Sequence, residues 1–141
     1  MSRLGDVATW EDVRRIALSL PETAEGSTFD NTSIKVRDKS FVWQRPLNQA
    51  DLKRLGDTPP PEGPILAAYV ETLDDKDALV TEEPDVFFTI EHFTGFRAVL
   101  ILLDRIDVER LEDIITDAWL VRAPKRVAAA FLAEQDAVSD S

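Results

Sequence analysis

Cysteine is absent from the 141 residues, which removes disulfides, iron–sulfur clusters, thiolate zinc sites and a thiol nucleophile from consideration. Glycine is scarce, at five. No G-x-G-x-x-G or G-x-x-x-x-G-K-[ST] run occurs, so nucleotide binding by the usual phosphate-cradling loops has no support. Histidine occurs once, at His92. A Ser–His–Asp triad would have to use it, and no nucleophile-elbow motif accompanies any serine. Apolar runs such as Ala98–Leu103 are far too short to span a bilayer. Residues Met1–Asp12 carry three acids and no apolar stretch of signal-peptide length. A cytoplasmic chain with no membrane partner and no cofactor is the expectation.

What is abundant is acid. Sixteen Lys and Arg face 27 Asp and Glu, a net charge of −11. That balance repels polyanions at long range and disfavours generic nucleic-acid binding. The charge is uneven. Residues 71–141 hold 7 bases and 17 acids, whereas Lys35–Arg54 holds six bases against Asp38 and Asp51. The chain is acidic with one basic stretch, so a directed anionic partner stays open.

The length suits one domain, with an ordered core over about residues 9–135. Thr9 and Asp12 form an approximate capping box, and Trp10, Val13, Ile16, Ala17 and Leu20 follow at helical spacing until Pro21. A turn-rich stretch runs through Gly26. Ile34 and Val36 alternate with polar neighbours, Asp38 marks a turn, and Lys39–Arg45 returns with Phe41 and Trp43 on one face and Val42 on the other. Asn48 caps a short helix, Gln49–Leu55, closed by Gly56. Ile65–Val70 reads as a strand and Asp74–Glu83 as an acidic helix. Val86–Ile90 and Arg97–Leu103 flank Glu91–Gly95 as a second hairpin. Asp107 caps a helix with stripe Val108, Leu111, Ile115, Ala118 and Trp119. Pro124 opens a last helix bearing Val127, Phe131 and Leu132 on one face, frayed after Gln135. The order implies an α+β fold, a mainly antiparallel sheet with helices packed on one face.

His92 admits two readings: a general base or ligand in a pocket, or a turn residue bonded to backbone. The eight acids from Glu71 to Glu91 lack an EF-hand pattern and read as a solvated face, with no metal site. The basic hairpin reads either as a wing, with Lys and Arg on phosphate, or as the outward face of a half-exposed strand. Trp10, Trp43 and Trp119 read first as core. No catalytic motif appears.

Leu20-Pro21-Glu22, Phe41-Val42-Trp43, Asp85-Val86-Phe87-Phe88-Thr89, His92-Phe93 and the closing run Ala118 to Arg126 together resemble the MmcQ/YjbR family, from about Trp10 to Phe131. The resemblance implies a CyaY-like α+β domain labelled DNA-binding through double-wing hairpins. A first wing maps to Lys35, Arg37, Lys39 and Arg45. A second maps to His92, Thr94 and Arg97, and Arg122, Lys125 and Arg126 extend the surface. Double-stranded DNA is therefore the candidate partner. A protein-interaction module with a large apolar patch is one alternative. A ligand pocket of Trp43, His92 and Arg97 is another.

Overall fold

A computed structural model describes residues 8–28 and 31–139. Helix α1, Trp10–Leu18, starts on a full capping box: the Asp12 amide donates to the Thr9 hydroxyl, and the Thr9 amide to the Asp12 carboxylate at 2.9 Å. Val13, Ile16 and Ala17 form its buried stripe. Three strands follow, β1 (Thr23–Thr28), β2 (Asn31–Val36) and β3 (Lys39–Gln44). After α2 (Gln49–Leu55), β4 (Ile65–Tyr69), α3 (Leu73–Glu82), β5 (Phe87–Phe88) and β6 (Ala98–Leu102) come the long helices α4 (Val108–Arg122) and α5 (Lys125–Ser139). The sheet is antiparallel throughout, in the order β1-β2-β3-β4-β6-β5.

Alternation along the central strands divides the interior by face. Leu66, Ala68, Val99 and Ile101 point to the larger core, where α1 packs on α4 and α4 lies across β3 and β4. Trp119 is fully buried there and donates its indole N–H to the Pro21 carbonyl at 3.1 Å. Its ring meets Phe131 at 5.0 Å, which ties down α5. Ile65, Ala67, Ala98 and Leu100 point the other way, into a smaller cluster with Trp43 and Phe93. The long helices thus cover one face of the sheet, and short elements cover the other.

Four expectations are corrected. The stretch through Gly26 is turn only as far as Glu22, and Thr23–Thr28 is a strand: all six residues of β1 pair with β2, a tertiary contact outweighing weak intrinsic preference. Strict alternation in β3 fails because the register shifts between Ile34 and Lys35. Pairing passes from Val42 to Ser40, leaving Phe41 as the extra residue of a bulge. Phe41 and Val42 therefore share the larger core, and Trp43 faces the smaller one. The second hairpin shrinks to two paired residues of β5 and a single helical turn at Glu91–Phe93, so no long second wing exists. Finally, α5 continues past Gln135 to Ser139.

Candidate functional site

The register assigns the basic residues to ends of the sheet. The β2–β3 turn consists of Arg37 and Asp38, both in the left-handed region at φ 47° and 70°. That is the backbone a tight hairpin demands, although an arginine rarely supplies it. Glu22, itself at φ 58°, accepts the Arg37 amide on its carbonyl and pairs its carboxylate with the guanidinium. This exposed pair holds the Arg37 guanidinium protonated more firmly still. Val42 opposes Ala68 and Tyr69 opposes Ala98, so the Ser40, Tyr69 and Arg97 ends of β3, β4 and β6 lie on the same side as this turn. Arg122, at the end of α4, donates to the Ser40 carbonyl at 3.1 Å and stacks 4.3 Å over the Tyr69 ring. That contact docks the α4–α5 corner, with Lys125 and Arg126 one turn further on, against the hairpin. Arg37, Lys39, Arg97, Lys125 and Arg126 are exposed. Arg97 donates to the Glu71 carbonyl at 2.9 Å. Lys35 stands slightly inward, its chain lying over Gly26.

Arg45 does not belong to this surface. It is 8% exposed at the opposite end of β3, where its Nη1 lies 3.0 Å from Asp51 Oδ2 and donates to the Pro46 carbonyl. Asp51 is the capping-box acid of α2, accepting from the Asn48 amide at 3.0 Å. Arg45 also packs 5.5 Å from the Phe93 ring centroid. Around it opens a cavity of about 400 Å³ that Trp43 and His92 both line. Arg97, the expected third member, lies at the other end of the sheet, and Arg45 takes its place. His92 is exposed at the cavity rim, in the turn after β5. Thr94 is exposed just beyond it.

The remaining groups offer less. Asp117, on the exposed side of α4, is raised above the ordinary carboxyl range by partial desolvation first and then by repulsion from Asp113, Asp75 and Glu71. No group of three or more His, Asp or Glu among the described residues is arranged to hold a metal ion. No helix among them is long and apolar enough to cross a membrane. Among the described residues the exposed large apolar side chains are Leu18, Leu52, Leu73 and Leu132, each on a different helix. The large apolar patch of the interaction-module reading is therefore not assembled by these four.

A family model, YjbR, matches residues 18–121. This chain belongs to the YjbR family. It is 45% identical over 130 residues to uncharacterized proteins of Mycobacterium bovis and Mycobacterium tuberculosis, covering 90% of this chain and 98% of each relative. A crystal structure of a Deinococcus radiodurans protein with a DUF419 domain superposes with a TM-score of 0.60 at 20% identity. That likeness covers 82% of this chain and 78% of the other, and it establishes a shared fold.

Within this YjbR-family chain, one site residue escaped the sequence reading. Lys76 is 4% exposed and donates from Nζ to the carbonyls of Phe93 and Phe96 at 2.6 and 2.8 Å. It pins the loop that forms one wall of the cavity. Burial lowers its proton affinity, with only Asp77 opposing the shift. The signal was present: Lys76, Leu79 and Val80 fall at helical spacing, so the one base of an acidic helix occupies its inward stripe.

Proposed function

We propose that this protein binds duplex DNA through phosphate contacts made by the turn end of its sheet. The Arg122–Ser40 contact carries the reading, because it joins a hairpin tip and a helix corner that are more than 80 residues apart into one basic edge. Lys39, Lys125 and Arg126 form no ion pair among the described residues and are free to meet phosphate. The first turn of α5 adds support. Helices α1 to α4 each carry an acid in the first turn, as the helix dipole favours, whereas α5 carries none and begins Lys125-Arg126. Cations there oppose the dipole, and a phosphate would relieve that repulsion.

The contacts are of the positioning kind and read no bases. Three free cations predict a salt slope of about −3 in log K against log salt, since each neutralised phosphate contributes about −0.9. The surrounding acidity limits binding to the non-specific range, a Kd of about 10 µM at physiological salt. Fluorescence anisotropy of labelled duplex across a salt series tests this. The triple variant Lys39→Glu, Lys125→Glu, Arg126→Glu should lose binding by more than about tenfold. A parent that stays unbound at low salt, or a variant that binds equally well, would rule the reading out.

A further inference from the structure

The cavity at the opposite end is lined by a cation that the chain itself leaves partly unused. The Arg45 side chain is nine-tenths buried, and of its guanidinium nitrogens Nη1 alone is engaged among the described residues, by Asp51 and the Pro46 carbonyl. Its Nε–Nη2 edge meets no acceptor among the described residues. Those two parallel N–H groups are the fork that matches a carboxylate in bidentate fashion. Asp51 does not saturate the charge there, because it also lies 4.0 Å from Arg54. The indole N–H of Trp43, fully enclosed, likewise has no acceptor among the described residues. A buried donor such as the Trp43 N–H is ordinarily paired, whereas the Arg45 edge is not among the buried unpaired atoms and so opens to the cavity.

The walls are aromatic. Trp43 lies 6.4 Å, centroid to centroid, from both Phe93 and Phe96, and Leu47 also lines the cavity. They are also rigid, since Lys76 holds the carbonyls of Phe93 and Phe96, and the Asn48–Asp51 capping box fixes α2. A mainly apolar cavity of this size, with a few convergent polar groups, is the form that small-molecule sites take.

We infer that this cavity is a binding site for a small aromatic carboxylate, its ring against the wall that Trp43, Phe93 and Phe96 present to the cavity and its carboxylate on the Nε–Nη2 edge of Arg45. The assignment is independent of DNA binding, because none of these residues belongs to the basic edge. His92, at the rim, is placed to meet a polar substituent of the ring.

Titration of the full ¹⁵N-labelled chain with benzoate, benzyl alcohol and acetate decides the matter. The readout is the indole N–H resonance of Trp43, assigned with Trp43→Phe. Benzoate should give a saturable shift with a Kd of about 1 mM, about tenfold tighter than either comparison compound. Leu47→Trp, which fills the cavity from a half-buried position, should abolish the shift and leave the rest of the spectrum in place. Equal binding of benzyl alcohol would reduce the site to an aromatic slot, and equal binding of acetate to an anion site. Either would overturn the inference, as would no shift up to about 10 mM benzoate, a level at which even weak fragment binding is visible.

Discussion

Arg37 and Arg45 stand at the two ends of one strand hairpin and live in opposite environments. Arg37 sits in a solvent-exposed turn, paired with a Glu22 that is itself 41% exposed. Arg45 is enclosed, paired with an Asp51 that is 2% exposed. The same residue type, eight positions apart, is a surface charge in one case and part of the architecture in the other. The contrast separates two environments along one sheet: the cations at the turn end face solvent, whereas the cation at the far end organises a cavity. Burial, more than charge, decides which role an arginine takes.

The comparison can be broken most forcefully at Asp51. Asp51→Ala strands the buried Arg45 guanidinium and removes a helix cap, so denaturant unfolding should show a loss of about 3–5 kcal/mol. A loss below about 1 kcal/mol would mean that Arg45 reaches water and that the two ends are alike. Lys76→Ala should cost about 2 kcal/mol by orphaning two carbonyls, and it should weaken benzoate binding without touching DNA binding. Replacing the turn pair by Asn-Gly (Arg37→Asn, Asp38→Gly) should stabilise by about 1 kcal/mol, since those residues accept positive φ readily. The same change should weaken DNA binding slightly. Glu22→Ala, which breaks only an exposed pair, should alter stability by no more than about 0.5 kcal/mol.

The smallest effect concerns Asp117. Its folded proton affinity lies above the ordinary value of 3.8, so its stabilising contribution is present at acid pH and lost as pH rises through the folded pKa. Asp117→Asn should therefore raise Tm at neutral pH, with the gain vanishing below about pH 4. A gain that persists in acid would point to a cause other than the carboxylate.

The helices were legible from local chemistry. Thr9–Asp12, Asn48–Asp51 and Asp107 all cap where their sequence patterns place them, because a cap involves residues only three apart. The run Thr23–Thr28 was not legible, since nothing in Thr-Ala-Glu-Gly-Ser-Thr asks for a strand until β2 is beside it. The bulge at Phe41 was equally hidden, and a one-residue offset is enough to move Phe41 and Trp43 to different faces. Trp43 and His92 both line the one cavity. Arg45, read from the sequence as part of the first wing, lines the cavity instead of Arg97, because its pairing with Asp51 depends on the docking of α2, which no periodicity encodes.

The separation of roles is tested most directly by one ¹H–¹⁵N correlation experiment in which the same labelled chain is titrated first with a short duplex and then with benzoate. The account predicts two disjoint sets of shifted amides. Duplex should move Arg37 to Ser40, Arg97 and Arg122 to Val127, and benzoate should move Trp43 to Asn48 and Glu91 to Phe96. Duplex shifts centred on the cavity, or benzoate shifts spreading over the basic edge, would contradict it.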